Sequence, residues 1–183
     1  FEYESALKYT LDPNSIPKSG SKVFSWPLDN IIITQKFGKT VAAKRLYVSG
    51  SHNGVDFGAK VGTPVKAMLS GKVIGTGDTD IACPRASFGR WVLVEHSNGL
   101  TSISAHLSVI SVKQGDTVGT GQIIGYSGNT GYSTGPHLHI SVYASDAVKV
   151  ESRPSASCKG KIYTMPIAPV DAYLDALEYL PKI

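Results

Sequence analysis

The sequence predicts an all-β fold, an antiparallel barrel-like or sandwich core of short strands, with short helices only near its two ends. Three observations carry this. Glycine and proline are abundant, 19 and 10 of 183 residues, while only 17% of the chain is charged, a balance that favours turn-rich β structure. From Val23 to about Tyr143, short β-rich runs (IIIT, TPVKAM, GKVIG, RWVLVEH, LTSISAH, QIIGYS, HLHISVY) are punctuated by glycine, as in a barrel or sandwich. The apolar share of 42% and net charge of +4 exclude a disordered chain, and no apolar run approaches the roughly 20 residues of a membrane-spanning helix. The length fits one domain plus a tail, and the 18 Lys and Arg are scattered rather than gathered into a nucleic-acid-binding stripe.

In chain order, residues 1–9 suit a short helix. Asp12-Pro13, Pro17 and Ser19-Gly20-Ser21 break it, so residues 10–22 read as a linker. Residues 1–22 are expected to be the tail of a longer exported protein, and 23–183 the functional domain. Asn98-Gly99 is a strong two-residue hairpin signal. That turn pairs His96 with Thr101, Val94 with Ile103, Val92 with Ala105 and Trp91 with His106. Val92, Val94, Ile103 and Ala105 then form the core face, His106 lies on the polar face, and His96 is a solvated turn residue. In HLHISVY, Leu138, Ile140 and Val142 face one side and His137, His139 and Ser141 the other. A last helix is expected over Asp171–Leu180, with Leu174 and Leu177 inward and Pro181 as its stop.

Four of the five histidines fall in three motifs: His52 in HNGVD, His106 in SAHL, and His137 and His139 in HLH. Two histidines on one strand face lie about 7 Å apart, close enough to share a metal. Asp56 alternates with the apolar Val55 and Phe57, and His52 reaches the same side from four residues earlier. Imidazole and carboxylate together suit Zn²⁺, and two His plus one Asp leave the open fourth position of a catalytic site. The remaining histidines could act as acid, base or oxyanion donors. Each motif alone would be ordinary surface polarity; their joint occurrence beside glycines argues for a site. GNTGYSTG lacks the Gly-Lys-Ser/Thr of a phosphate loop, and its glycines are better read as turns presenting His137 and His139.

The chain resembles the lysostaphin/LytM-type zinc endopeptidases of peptidoglycan. The matching stretches are FSWPLDN, HNGVDFGAKVGTPVKAMLSGKV, SAHLSVISVKQGDTVGTGQIIGYSGNTGYSTGPHLHISV and PVDAYL, together covering about residues 24–174. The resemblance implies a β-sheet domain with an open groove, His52, Asp56 and His139 as zinc ligands, and His106 and His137 as the catalytic pair. It leaves open which of the pair is the base. It further implies peptide stems or cross-bridges of peptidoglycan as substrate, an extracytoplasmic location and a monomer. Two departures stand out: Ser104 where the family carries Tyr, and Thr40 near a usual Arg. Loops 39–51, 77–90 and 144–168 look long for the family. Cys83 and Cys158 lie in the second and third, and in an exported domain are expected to pair. The competing reading is a silent or autoinhibited relative that binds cell wall and activates a partner hydrolase. A biotinyl- or lipoyl-carrier reading of KAMLSGKV fails, because Leu69 stands where the modified Lys belongs.

Overall fold

The structure is a computed structural model that describes residues 2–19, 23–39 and 51–182. Among the described residues, a short helix α1 (Glu2–Ala6) precedes twelve strands: β1 (Ile33–Gln35), β2 (Val55–Gly58), β3 (Pro64–Lys66), β4 (Gly71–Asp78), β5 (Arg90–His96), β6 (Leu100–Ile110), β7 (Thr117–Val118), β8 (Ile123–Ser127), β9 (His137–Ala144), β10 (Lys149–Pro154), β11 (Ile162–Ile167) and β12 (Tyr173–Leu174). The main sheet runs β1-β2-β9-β6-β5-β4-β7; β12 adds to β9, and β8 bridges β3 and β6. β10 and β11 form a separate hairpin. The named pairings are all antiparallel.

Both faces of the central sheet are buried, which explains why β5 reads as a nearly continuous apolar run and why Thr101, Ser102 and Ser104 of β6 are buried although they are polar. One core takes Val92, Val94, Leu100, Leu138, Ile140 and Val142. The other takes Trp91, Leu93, Ile103, Ala105 and Tyr143.

The β5–β6 hairpin departs from the expected register by one residue. Glu95 pairs with Thr101, Val94 with Ser102, Leu93 with Ile103 and Val92 with Ser104. The turn is three residues long, Ser97 to Gly99, and Gly99 alone takes the left-handed conformation (φ 90°), the geometry of a three-residue hairpin closed by a glycine. A one-residue slip exchanges faces, so the expected core group splits. Val92 and Val94 share a face with Ser102 and Ser104, while Ile103 and Ala105 join Trp91 and Leu93 in the second core. His96 is buried in consequence, 3% exposed, between the Ser70 carbonyl (3.0 Å) and the Ser102 hydroxyl (2.9 Å).

The C-terminal helix is also corrected. Two single 3₁₀ turns, Val170–Ala172 and Ala176–Glu178, flank β12, which pairs Tyr173 with Tyr143 and Leu174 with Val142. The open edge of β9 offers backbone partners that a helix there would forgo. Asp175 caps the second turn by accepting from Leu177 N–H, and Leu174 and Leu177 still pack on the first core.

The N-terminal residues lie against this body. The Glu4 carboxylate is buried and accepts from Ala168 N–H and the Tyr173 hydroxyl, each at 2.8 Å. The Tyr9 hydroxyl donates to Asp146, the Arg153 guanidinium sits 3.6 Å above the Tyr3 ring, and Ile16 packs on the first core. Cys83 and Cys158 are joined in a disulfide with Cα atoms 5.8 Å apart. It ties the β4–β5 loop to the β10–β11 hairpin. Of the loop at 39–51, residues 40–50, and with them Thr40, fall outside the described residues.

Candidate metal centre

Asp56 stands on β2 directly opposite His139 on β9, so strand pairing alone faces one toward the other. His52 precedes β2 and is anchored by a two-way backbone bridge to Gly38, 2.8 Å in each direction. The chain then passes through Gly54, where a Cβ would lie 2.7 Å from the His139 ring; the absent side chain lets the HNGVD segment close on β9. His139 Nδ1 lies 2.9 Å and His52 Nε2 3.3 Å from the same Asp56 oxygen, and His137 Nε2 lies 3.7 Å from it. Ligand atoms of His52, Asp56 and His139 all fall within 4.8 Å of one another, and all three residues are buried.

His106 reaches this point by a route the alternation pattern does not foresee. Arg90 pairs with Leu107 and Val92 with Ser104, so Trp91 faces both Ala105 and His106. This β-bulge puts His106 at φ 61° and swings its ring out of line with Ser102 and Ser104. The ring lies 4.7 Å from that of His137 and 5.8 Å from that of His139. It is therefore buried within the cluster, 6% exposed, rather than lying on a polar surface. All five expected site residues converge; His96, which was not expected there, stays on the opposite core.

The outward hydrogen bonds decide how the rings present themselves. A carbonyl only accepts, so a ring nitrogen beside one carries the proton. His52 Nδ1–H donates to Lys36 (3.2 Å), His106 Nδ1–H to Thr130 (2.6 Å) and His137 Nδ1–H to Gly135 (2.8 Å). Ser141 has one hydroxyl proton and gives it to the Asn53 carbonyl (2.9 Å), so it accepts from His139 Nε2–H (2.7 Å). Each neutral ring thus turns a lone pair inward. Burial, foremost, favours the neutral forms of His139 and His106, lowering the His139 pKa and pushing that of His106 down to about 3. Two imidazole lone pairs therefore crowd one carboxylate oxygen at 2.9–3.3 Å, an electron-rich arrangement that calls for a cation between them. The donor set of two nitrogens and one oxygen suits a divalent metal such as zinc.

Ser141 was legible as a neighbour of the histidines, since it shares their strand face. The carbonyls of Lys36, Thr130 and Gly135 were not, because they act through backbone atoms that every residue possesses.

A sequence profile described as peptidase family M23 matches residues 50–151. Over 91 residues the chain is 48% identical to the glycyl-glycine endopeptidase ALE-1 of Staphylococcus capitis, covering 50% of this chain and 24% of that protein. It is 40% identical over 111 residues to the peptidoglycan DD-endopeptidase ShyA of Vibrio cholerae, covering 61% of this chain and 23% of the relative. The matched region is thus about a quarter of each relative's length. Among solved structures, the catalytic domain of lysostaphin from Staphylococcus simulans is similar with a TM-score of 0.59 at 30% identity, covering 81% of this chain and 91% of that one. A zinc containing peptidase from Vibrio cholerae gives a TM-score of 0.60 at 28% identity, covering 88% of this chain and 41% of that one. With the profile spanning more than half of its residues and every member of the histidine–aspartate cluster, the chain belongs to peptidase family M23.

Proposed function

We propose that the chain is the catalytic part of a zinc-dependent endopeptidase that hydrolyses peptide cross-links or bridges of bacterial peptidoglycan, outside the cytoplasm. The observation that carries this reading is the set of inward lone pairs: two against the Asp56 carboxylate and two more, on His106 and His137, beside them. His52, Asp56 and His139 would hold the metal. Bound there, zinc supplies a Lewis acid for the scissile carbonyl and lowers the pKa of a bound water to about 7.

His106 and His137 do the proton work. Each presents Nε2 to the site while its Nδ1–H is tied to a carbonyl. One takes the proton of the attacking water and returns it to the leaving amine; the other sits beside the carbonyl oxygen as it becomes tetrahedral. His137 is the more open of the two, its side chain 15% exposed, and faces arriving substrate. Extracytoplasmic location is supported by the disulfide, which persists in oxidising compartments.

The test is digestion of two purified peptidoglycans, one with glycine bridges and one with D-alanyl–diaminopimelate cross-links, with fragments identified by mass spectrometry. His106→Ala and His137→Ala are expected to lose about 10²–10⁴ in rate while retaining zinc. His52→Ala and Asp56→Ala are expected to lose zinc and activity together. Zinc binding with both polymers left intact would overturn the enzymatic reading in favour of a silent cell-wall binder.

A further inference from the structure

The β4–β5 loop is fastened far more firmly than a surface connection requires. Thr79 accepts from Gly89 N–H (2.9 Å) and donates to the Ala86 carbonyl (2.7 Å). Cys83 N–H reaches the Thr79 carbonyl (3.0 Å), and its sulfur is bonded to Cys158. Arg85 and Ser87 are held at φ 63° and 58°, a left-handed conformation that neither residue type favours. The loop also meets the turn before β9 backbone to backbone. Tyr132 N–H bonds the Ser87 carbonyl (2.8 Å), and a Cβ on Gly131 would collide with Gly89 and Ser87.

At the centre of this contact lies Asp80. Its carboxylate accepts from Arg85 N–H (2.9 Å) and, through its two oxygens, from Gly131 N–H (3.2 and 3.1 Å). The carbonyl on the other side of that same peptide bond belongs to Thr130, and it accepts from His106 Nδ1–H at 2.6 Å. A peptide unit is planar, with N–H and C=O pointing in opposite directions. One rigid group therefore spans the carboxylate and the imidazole. The Thr130 hydroxyl fixes its tilt, accepting from Arg90 N–H (3.1 Å) and donating to the Leu107 carbonyl (2.7 Å).

We propose that Asp80 is a positioning residue for His106, acting through the Thr130–Gly131 peptide group. Negative charge at the N–H end polarises the peptide and makes the Thr130 oxygen a stronger acceptor, since hydrogen bonds in series reinforce one another. A stronger acceptor on Nδ1–H holds the ring in its tautomer and orientation, as outer partners do for other functional histidines. The disulfide and the loop bonds keep Asp80 at its post. This inference rests on the reading of His106 as catalytic, but its physical core, the coupling of residue 80 to the His106 ring, does not.

The test compares zinc-loaded wild type with Asp80→Ala and Asp80→Asn. The His106 Nδ1–H proton resonance, assigned by its loss in His106→Ala, is expected to move upfield in Asp80→Ala. It should move less in Asp80→Asn, which keeps a neutral acceptor of the same shape. On peptidoglycan fragments, kcat should fall about tenfold in Asp80→Ala, with KM and zinc affinity unchanged and partial rescue in Asp80→Asn. An unmoved resonance in both variants overturns the proposal whatever the activity. A moved resonance with full activity in His106→Ala would instead overturn the catalytic reading of His106 and leave the coupling standing. If Asp80→Ala does not fold, the isosteric Asp80→Asn decides alone, through its resonance and kcat.

Discussion

At the scale of single residues, Ser141 shows how little chemistry is needed to fix a ring. One hydroxyl joins His139 on β9 to the Asn53 carbonyl in the HNGVD segment, so it aligns the two motifs that hold the three candidate ligands. Ser141→Ala removes the acceptor from His139 Nε2–H and is expected to weaken zinc binding about tenfold with little change in unfolding temperature. Competition with a chromophoric chelator measures this, and an unchanged affinity would deny Ser141 any role in holding the ring. Two-residue alternation made Ser141, His137 and His139 visible together in the sequence. His96 departs from the expectation of a solvated turn residue because Asn98-Gly99 belongs to a three-residue turn, which draws the ring inside, where burial lowers its pKa.

At the scale of elements, strand faces were legible wherever pairing is regular, as along β9, and illegible wherever a single extra residue intervenes. The hairpin turn and the bulge at His106 are both insertions of one residue, and each exchanges faces for everything beyond it. Local sequence does not announce them: the bulge is specified by Phe88, whose carbonyl takes His106 N–H at 2.8 Å, and by the Thr130 carbonyl, both distant in the chain. The disulfide was legible from two cysteines in two long loops. Its loss in a Cys83→Ser, Cys158→Ser double variant frees a 75-residue separation and is expected to cost about 2–4 kcal/mol. Urea unfolding measures the loss; a difference near zero would mean that the loop bonds suffice without it.

At the scale of the whole molecule, the all-β architecture followed from composition and punctuation, whereas the docking of α1 did not, because a lone carboxylate in a short amphipathic stretch looks solvated. Burial raises the Glu4 pKa above its ordinary value of 4.5, against the hydrogen bonds of Ala168 and Tyr173. The folded state then binds this proton more tightly than the unfolded state. The group favours folding at low pH, and that contribution fades as pH rises through the folded pKa. Glutamine never ionises, so the stability of Glu4→Gln relative to wild type is expected to grow as pH rises above 4.5 and then level off. Urea titrations at several pH values test this, and a pH-independent difference would count against it.

The long strand β6 hydrogen-bonds to β5 along one edge and, on the other, to β9 and then β8. A strand with paired neighbours along its length opens only when much of the sheet opens with it. His106 is thus mounted on a strand held from both sides, so that its ring keeps its place unless the sheet itself opens.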